Sequence, residues 1–452
     1  MDRKNRIILS AIAAAVIISA SVSFTWLWPN STRMLLPPTN SNEAIVPVES
    51  NGTDAINTNI RSNNDAFKVI PDSNLPTVSD PNLRVEKVVE GLSMPTSMKF
   101  VGHNDILILE KASGTVRLIL NGTLQPHQIF QKSVVSNSER GMLGVAVSGG
   151  NGNGQKTVFL YYTEPSQTGE VRNRIYKYDW DGRGNLTGGK MILDLPGTPG
   201  PNHDGGKIVL GPDGMLYAVI GDQNRRGMDQ NVKNGPSPDD TSVIFRVDQN
   251  GNAASNNPLS DNDSAINTVL SKYYAYGIRN SFGLAFDPVT GKLWDTENGP
   301  SSNDEINIVS PGFNSGWTHI MGPIGGKSVG SLVQFKGSHY QDPVFTWTEP
   351  PAVTDIEFYN STKLGDKYTN NIFVGDFNNG NLYFFTVNKE RNGLVLDGNG
   401  LQDQVANTPS EASTVTFGTG FTGGITDIEA GPDGYLYVLT HAGNLYRIVP
   451  AR

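Results

Sequence analysis

The feature that most constrains the fold is a short element that recurs along the chain. "GPDGMLYAVIGD" (211–222) is similar to "GPDGYLYVLT" (431–440), and "DPVTGKLWDTENG" (287–299) is a looser copy. Each copy is a turn followed by an apolar strand with an aromatic residue beside a leucine. Recurrence of one antiparallel unit over about 370 residues is typical of a β-propeller. At roughly 40–60 residues per blade, six to eight blades would fit.

Short apolar or alternating runs dominate the rest of the chain from residue 82 onwards. Examples are "KTVFLYYTE" and "NNIFVGDFNNGNLYFFTVN", and turns rich in Gly, Asp and Asn separate them. No segment has amphipathic periodicity of convincing helical length. The sequence therefore predicts an all-β domain over residues 81–452, with its functional residues in loops on one face of the propeller.

The first 80 residues differ in character from this domain. Residues 7–28 are uncharged and mostly apolar and follow the basic cap "MDRKNR". A run of roughly 20 such residues spans a ~30 Å hydrocarbon core, with the basic cap in the cytoplasm. We therefore predict that residues 1–28 are a membrane anchor or a signal segment, so the main domain is extracytoplasmic, either membrane-anchored or secreted. Residues 29–80 are rich in Asn, Ser, Thr and Pro and are predicted to be a flexible, disordered linker.

Charge and cysteine content exclude several classes of function. The chain has 35 Lys and Arg against 44 Asp and Glu, a formal net charge of −9, which argues against a nucleic-acid partner. It contains no cysteine, which excludes a disulfide framework, a zinc-thiolate site and a cysteine nucleophile. The N-terminal segment is the only predicted contact with a membrane.

Four stretches carry polar residues that a propeller scaffold does not need: "NSERGMLGVAV" (136–147), "PNHDGGKI" (201–208), "YGIRNSFGLAFDP" (276–288) and "DTENGPSSNDEINIV" (295–309). Taken singly, each has a structural interpretation. His203 could cap a turn, and Arg279 could pair with a loop carboxylate. The acidic stretch could be a solvated turn, or it could bind a hard cation, because Ca²⁺ takes carboxylate and carbonyl oxygens. The acidic side chains in question are those of Asp295, Glu297, Asp304 and Glu305.

In their order along the chain these motifs resemble one family. The order is "ERGMLG", "NHDGGKIVLGPDGMLY", "YGIRNSFGLAFDPVTGKLW", "ENGPSSNDEINIV", "GFNSGW" and "GPDGYLYVLT". It resembles the soluble quinoprotein sugar dehydrogenases, the glucose/sorbosone dehydrogenase family with its aldose sugar dehydrogenase branch. The resemblance covers about residues 84–450. It implies a six-bladed β-propeller with pyrroloquinoline quinone (PQQ) over the central channel and Ca²⁺ beside it.

The resemblance also implies roles at matching positions. His203 matches a general base that takes the proton from the C1 hydroxyl of the sugar while hydride passes to the quinone, a task that suits imidazole. Arg279 matches the arginine that holds the quinone oxygens and offsets their charge during reduction. Asn280 would form a hydrogen bond nearby.

Two calcium sites and one aromatic contact are implied in the same way. Gly299 and Pro300 match the pair whose backbone carbonyls bind the Ca²⁺ of the cofactor, which would act as a Lewis acid. Glu305 and the main chain near Ser315 match a second, structural Ca²⁺ site. Trp347, in "FTWTEPPAV", falls near an aromatic residue that lines the cofactor face.

The sequence departs from the family pattern at several of these positions. Glu139 stands where the family usually has Gln, and Asn202 stands where it has Asp or another residue; both remain predicted cofactor contacts. The cations that hold the carboxylates of PQQ are missing, and the aligned residues are Asn378, Gly424 and Thr426. PQQ is a tricarboxylate, and an unpaired buried carboxylate is costly. Lys207, Arg140 or a residue from a shifted loop could substitute for them.

Three functions are therefore compared. The leading hypothesis is PQQ- and Ca²⁺-dependent oxidation of an aldose sugar, from the C1 hydroxyl to the lactone, outside the cytoplasm, with hydride transfer to the quinone and an unidentified electron acceptor. The second is a non-catalytic extracellular propeller that binds a ligand or a protein partner, which the loss of the cations favours. The third is a Ca²⁺-dependent lactonase-type hydrolase.

Overall fold

The structure, a computed structural model, describes residues 66–149, 155–396 and 400–451. Strands form most of the regular structure of these residues. Numbered in chain order, the strands are β1 (Thr77–Val78), β2 (Leu83–Val89), β3 (Pro95–Phe100), β4 (Ile106–Glu110), β5 (Thr115–Leu120), β6 (Thr123–Leu124), β7 (Phe130–Gln131), β8 (Met142–Ser148), β9 (Lys156–Pro165), β10 (Val171–Trp180), β11 (Thr187–Pro196), β12 (Ile208–Leu210), β13 (Leu216–Ile220), β14 (Val243–Val247), β15 (Tyr273–Tyr276), β16 (Ser281–Phe286), β17 (Leu293–Glu297), β18 (Asp304–Val309), β19 (Phe313–Asn314), β20 (His339–Tyr340), β21 (Phe345–Trp347), β22 (Val353–Tyr359), β23 (Asn371–Asp376), β24 (Leu382–Phe385), β25 (Val405–Ala406), β26 (Thr416–Thr419), β27 (Ile425–Ala430), β28 (Leu436–Thr440) and β29 (Asn444–Pro450).

Helical structure is confined to short connections. The described residues include two α-helices, α1 (Ser264–Leu270) and α2 (Pro409–Ser413). They also include three single 3₁₀ turns, at Met228–Gln230, Val329–Ser331 and Asp366–Tyr368. The predicted all-β class is therefore confirmed.

The described strands form six sheets, which we number along the chain from β3, β8, β12, β16, β22 and β27; we call these the first strands of sheets 1 to 6, and β1 and β2 join sheets 5 and 6 from the N-terminal side. Sheet 1 contains β3 to β7, sheet 2 contains β8 to β11, sheet 3 contains β12 to β15 with β19 and β20, and sheet 4 contains β16 to β18 with β21 and β25. Sheet 5 contains β22, β23, β24, β26 and β1, and sheet 6 contains β27, β28, β29 and β2. Most strand pairs within the sheets are antiparallel, as in β8–β9 and β22–β23, whereas the short strands β19, β20 and β25 pair parallel with their neighbours.

The sheets have a propeller-like arrangement around a common channel. β3, β8, β12, β16, β22 and β27 are the first strands of sheets 1 to 6, and each contacts the first strand of the next sheet, with β27 contacting β3 to close the cycle. Six clusters of buried apolar side chains lie between neighbouring sheets. Burial of each large apolar side chain contributes roughly 1.5–3 kcal/mol, so the contacts between sheets hold the ring together.

The recurring turn seen in the sequence has a clear physical basis. Asp213 accepts hydrogen bonds from the backbone N–H of Met215 (3.1 Å) and the hydroxyl of Tyr217 (3.1 Å). At the second copy, Asp433 accepts the equivalent bonds from Tyr435 N (3.0 Å) and the Tyr437 hydroxyl (2.7 Å). The glycine after each aspartate has a φ of +74° or +86°, a conformation that favours glycine. The Asp-Gly-x-x-Tyr spacing therefore closes a hairpin and ties its aromatic residue to the turn.

The boundary predicted at residue 80 is too late. Phe67 is 4% exposed and packs against Tyr437 at a ring distance of 5.6 Å. Strand β1 pairs with β26, and Asp80 forms an ion pair with Lys367 at 2.8 Å. The polar composition of this segment did not predict the packing, because a few apolar residues are enough to fix the segment to the sheets.

The predicted hydrophobic segment at residues 7–28 lies outside the described residues, as does most of the predicted linker. None of the helices in the described ranges is long and apolar enough to cross a membrane.

Candidate active site

Several of the predicted site residues meet at one end of the channel, where the first strands of the sheets begin. Glu139 and His203 precede β8 and β12, and Asn280 precedes β16. The Glu139 carboxylate accepts hydrogen bonds from the His203 backbone N–H (2.5 Å) and from Asn280 Nδ2 (3.1 Å). Asn202 accepts a hydrogen bond from the hydroxyl of Ser138. Glu139 thus joins the loops of sheets 2, 3 and 4 around one point.

His203 is held by a carboxylate that the sequence analysis did not single out. The residue is 8% exposed, and its Nδ1 forms a short hydrogen bond with Asp222 Oδ1. Asp222 is itself fixed by Trp317 Nε1, which donates to Oδ2 (2.8 Å), and by the backbone N–H of Asn224 (2.8 Å). A carboxylate at Nδ1 favours the tautomer with its proton there, which leaves the Nε2 lone pair available to accept a proton.

Arg279 lies beside the His203–Asp222 pair, and its guanidinium donates only some of the hydrogen bonds that it could make. Its guanidinium stacks on the Trp317 ring, 5.4 Å from the ring centroid, and donates to the Asn298 carbonyl (2.8 Å). Its backbone N–H donates to Glu297 Oε1 (2.6 Å), and its Nε has no hydrogen-bond partner among the described residues. Burial lowers the pKa of Arg279, but a guanidinium stays protonated at neutral pH. It can therefore stabilise an anionic oxygen in the mouth of the channel.

The hairpin β17–β18 carries four oxygen-bearing side chains on one face. Glu297 lies opposite Glu305, and Asp295 lies opposite Asn307. All four are buried. Ser315 donates to Glu297 Oε2 (2.5 Å), whereas both oxygens of Asp295 and Oδ1 of Asn307 have no hydrogen-bond partner within the described ranges.

Electrostatics favour a cation on this face. Burial raises the pKa of Asp295 and of Glu305, and repulsion from Glu297 raises both further. No group of three or more His, Cys, Asp or Glu side chains in the described chain has the geometry of a complete metal site. The donors here are carboxylate and amide oxygens, which is the set that Ca²⁺ prefers, and the unpartnered oxygens of Asp295 and Asn307 would be satisfied by a cation. The residues present therefore fit Ca²⁺.

The loop between β17 and β18 contains Gly299 and Pro300. Gly299 N donates to Asp304 Oδ1 (2.8 Å), while Oδ2 of Asp304 accepts from the backbone N–H of Ala352 (2.7 Å). A Cβ at Gly299 would lie 1.9 Å from the Ser302 carbonyl oxygen, so only glycine fits this tight turn. Burial raises the pKa of Asp304 to about 6.

Comparison with known proteins shows the family of the chain. Residues 92–447 match the sequence model of the glucose/sorbosone dehydrogenase family. The chain belongs to the glucose/sorbosone dehydrogenase family. Membership makes it a sugar dehydrogenase, an oxidoreductase, and confirms the family that the ordered motifs resemble.

Individual relatives agree with this membership. The chain is 26% identical over 376 residues to aldose sugar dehydrogenase YliI of Escherichia coli, covering 81% of this chain and 93% of that protein. It is 26% identical over 281 residues to quinoprotein glucose dehydrogenase B of Acinetobacter calcoaceticus, covering 57% of each. The PQQ-bound form of aldose sugar dehydrogenase from Streptomyces coelicolor has the same fold, with a TM-score of 0.61 at 21% identity, over 83% of this chain and 99% of that one.

One residue assigned by the family pattern lies elsewhere. Trp347 is 1% exposed and packs in the core between sheets 4 and 5, with its ring 5.1 Å from that of Tyr383. It does not reach the cofactor face, because its strand β21 places the indole among apolar side chains. Trp317, from the "GFNSGW" motif, is instead the aromatic residue in the site.

In this dehydrogenase, Lys207 and Arg140 were named as possible substitutes for the missing cations that would hold the PQQ carboxylates. Both side chains bind other groups of the protein. Lys207 forms ion pairs with Asp355 (2.7 Å) and Asp427 (2.9 Å) inside the channel. The guanidinium of Arg140 donates to backbone carbonyls of the 197–199 loop, and its Nε lies 4.0 Å from Asp204. Two carboxylates therefore neutralise Lys207, and the hydrogen bonds of Arg140 hold its guanidinium on the 197–199 loop.

The positions where the family has cations cannot supply them either. Gly424 has a φ of +86°, and a Cβ there would lie 2.4 Å from the Phe377 carbonyl oxygen. The hydroxyl of Thr426 donates to the Leu439 carbonyl (3.4 Å). Asn378 is exposed and uncharged.

Sequence reasoning missed Asp222 and Trp317 as site residues in this dehydrogenase. Asp222 lies two residues after the end of strand β13, in "VIGD", and Trp317 ends a motif that was recognised only as a family marker. A polar residue shortly after a strand of the same sheet as His203 is the signal that could have identified Asp222.

Proposed function

We propose that this protein oxidises the C1 hydroxyl of an aldose sugar to the lactone, with PQQ and Ca²⁺. The observation that carries the proposal is the His203–Asp222 pair beside Arg279. Bound PQQ would supply the quinone that accepts hydride from C1, while the proton of the C1 hydroxyl goes to the protein.

His203 has the arrangement of a general base for this proton. Asp222 at Nδ1 orients the imidazole, as a carboxylate does for a catalytic histidine in general. Its Nε2 receives no hydrogen bond from the described chain and can meet a sugar hydroxyl at the channel mouth. Trp317 positions both Asp222 and the Arg279 guanidinium, so it aligns the base with the anion-stabilising cation.

The residues that would hold the quinone are Arg279, Asn280 and Glu139. Arg279 Nε and Asn280 Oδ1 are buried atoms without hydrogen-bond partners in the described chain. Because buried polar atoms are normally hydrogen-bonded, a bound ligand would supply the missing partners. Gly299 and Pro300 would supply carbonyl ligands to the Ca²⁺ of the cofactor. Glu305, with Ser315, would hold a second, structural Ca²⁺ on the β17–β18 face.

We further propose that the six sheets are the six blades of the propeller, and that the domain works outside the cytoplasm. The extracytoplasmic location rests on residues 7–28, whose length and basic cap suit a membrane anchor or a signal segment. The electron acceptor is a separate molecule that the chain does not identify.

The uncharged residues at 378, 424 and 426 favour a second candidate, a non-catalytic propeller that binds a ligand or partner at the same mouth. Binding and turnover separate the two. The chain is titrated with PQQ in the presence of Ca²⁺, and an aldose and an artificial acceptor are then added.

The dehydrogenase predicts PQQ binding in the micromolar range or tighter, and sugar-dependent turnover that falls roughly 10²–10⁴-fold in His203→Ala with PQQ binding kept. Asp222→Asn should lower turnover with PQQ binding also kept, because an amide no longer fixes the reactive tautomer. Absence of PQQ binding would overturn the proposal in favour of the binding propeller.

A further inference from the structure

Two cations in the mouth of the channel lack a carboxylate partner. Arg279 and Lys111 are partly buried, and no carboxylate oxygen of the described chain lies within the 4.0 Å of an ion pair with either. Lys207 and Arg246, by contrast, have such partners. Carboxylates such as Glu139 act on both cations, but from beyond the distance of an ion pair, so an anionic ligand in direct contact would stabilise the two partly desolvated charges further.

Lys111 is fixed so that its ammonium stays at the mouth. It follows strand β4, at the end where β3 begins, and its carbonyl accepts a hydrogen bond from Met142 N (3.0 Å). Its Nζ donates to the carbonyls of Ser136 (3.0 Å) and Ser138 (2.6 Å). Ser138 directly precedes Glu139, so the ammonium lies next to the loop that positions His203. Two carbonyl partners leave one N–H of the ammonium available.

His441 and Phe377 lie on the same side of the mouth. The backbone N–H of His441 donates to the Gly424 carbonyl (3.0 Å), and its ring lies 5.4 Å from the ring of Phe377, which is 41% exposed. Burial lowers the pKa of His441, and the charge of Lys111 lowers it further, so the two groups are electrostatic neighbours. His441 and Phe377 both contact Gly424, the position where a longer side chain cannot fit.

The two cations come from sheets at opposite positions in the ring. Lys111 belongs to sheet 1 and Arg279 to sheet 4, three sheets apart in either direction around the closed cycle. A flat ligand lying over the channel with one anionic end at each side would meet both. PQQ is a flat ligand of this kind, because one of its three carboxylates lies on the edge of the ring system opposite the two quinone oxygens, and these oxygens gain negative charge on reduction.

We propose that Lys111, with His441 beside it, binds a carboxylate of PQQ and replaces the cations absent at positions 378, 424 and 426. This inference rests on the proposed function. In this proposal Lys111 binds the cofactor and takes no part in proton transfer, and Arg279 contacts the quinone oxygens.

The test measures PQQ affinity, not turnover. Dissociation constants are determined by calorimetry with Ca²⁺ present for the wild type, Lys111→Met, Lys111→Arg and Lys156→Met. Lys156 is a matched control, because its Nζ also donates to a backbone carbonyl, that of Val101 (2.6 Å), without a carboxylate partner, but at the opposite end of the channel. Loss of one charge-assisted hydrogen bond should weaken Lys111→Met by roughly tenfold or more, with the arginine and control variants within about twofold of wild type.

A second ligand shows whether Lys111 acts through the charge of PQQ or through its shape. The trimethyl ester of PQQ lacks the carboxylate charges, so it should bind wild type and Lys111→Met with similar affinity. Equal PQQ affinity in wild type and Lys111→Met would overturn the assignment of Lys111 while leaving the proposed function intact. Failure of wild type to bind PQQ would overturn both. Lys111→Gln replaces Lys111→Met if the methionine variant does not fold.

Discussion

Asp204 connects the loop of His203 to the interior. Its Oδ1 accepts hydrogen bonds from Asn173 Nδ2 (2.8 Å) and Gln223 Nε2 (3.2 Å), and its carbonyl accepts one from the Tyr161 hydroxyl (2.9 Å). Its Oδ2 has no hydrogen-bond partner in the described chain. Burial raises the pKa of Asp204 from 3.8 to about 6. The residue therefore fixes the backbone of the base, but its charged form is costly.

Asp204→Asn should change how stability depends on pH. The folded protein holds the Asp204 proton up to about pH 6, whereas the unfolded chain loses it near pH 3.8, so the wild-type free energy of unfolding falls as the pH rises between these values. The amide keeps the accepting oxygen and has no charge to bury. The stability difference between variant and wild type should therefore grow by up to about 3 kcal/mol from pH 4 to pH 7. Urea unfolding at several pH values measures it, and parallel curves for the two proteins would refute it.

At the residue scale, the sequence predicted which loops meet but not how they are held. His203, Arg279, Asn280 and Glu139 come together as the family pattern implied. Asp222 is 19 residues from His203, and its contact with the imidazole depends on the pairing of strands that no local pattern encodes. Trp347 was misplaced because position in a motif does not tell which face of a strand a side chain occupies.

The hairpin β17–β18 is the element on which the calcium proposal depends. The alternating pattern of "DTE" and "EIN" puts Asp295, Glu297, Glu305 and Asn307 on one face, because side chains two residues apart point the same way. Asp304 and Glu305 are neighbours in the sequence, but their contacts differ. Asp304 accepts hydrogen bonds from the backbone N–H groups of Gly299 and Ala352. Glu305 instead lies opposite Glu297, on the hairpin face that carries the oxygen-bearing side chains.

Glu305→Gln should remove the stabilisation that added Ca²⁺ gives. A bound ion stabilises the folded state by mass action, by about 2.7 kcal/mol at an ion concentration 100 times its dissociation constant. Thermal unfolding with Ca²⁺ and with a chelator should differ for wild type and coincide for the variant. Asp287→Asn is the control, because it breaks a buried pair with Arg391 away from this face and should keep the response to Ca²⁺. Identical melting of wild type with and without chelator would contradict the structural calcium site.

The segment 66–80 is an element that composition predicted to be linker. Its polar sequence has no regular pattern, but Phe67 and strand β1 supply enough contacts to bind it to sheets 5 and 6. Such packing depends on the surfaces that the segment meets and not on its own periodicity.

A chain that begins at residue 81 should therefore be less stable than one that begins at residue 66. It loses the burial of Phe67, which alone is worth about 3–5 kcal/mol if the site behaves like other buried phenylalanines. It also loses the ion pair of Asp80 with Lys367. Denaturant unfolding of the two chains, with Phe67→Ala in the longer one, measures the contribution. Equal midpoints for all three would show that the boundary at residue 80 is correct.

At the scale of the whole molecule, the recurring turn and strand were sufficient to predict the class of fold. The Asp-Gly-x-x-Tyr turn closes hairpins, and the hairpins leave their apolar faces to be covered by the next sheet, which leads to a ring. Sheet 6 unites the two ends of the domain, because β2 pairs with β29. The order of the motifs identified the family, but it could not show where the compensating charge of Lys111 lies. That charge depends on a loop of sheet 1, far from the motifs in sequence.

The most direct test of the whole account is an anaerobic single turnover. The chain is loaded with one equivalent of PQQ and with Ca²⁺, then mixed with an aldose that carries hydrogen or deuterium at C1, and the quinone absorbance is followed. A PQQ-dependent dehydrogenase with His203 as its base should reduce one quinone per chain, more slowly with deuterium at C1, and more slowly by roughly 10²–10⁴-fold in a His203→Ala variant that still binds PQQ. Bound quinone that no aldose reduces, or reduction as fast in His203→Ala as in wild type, would contradict it.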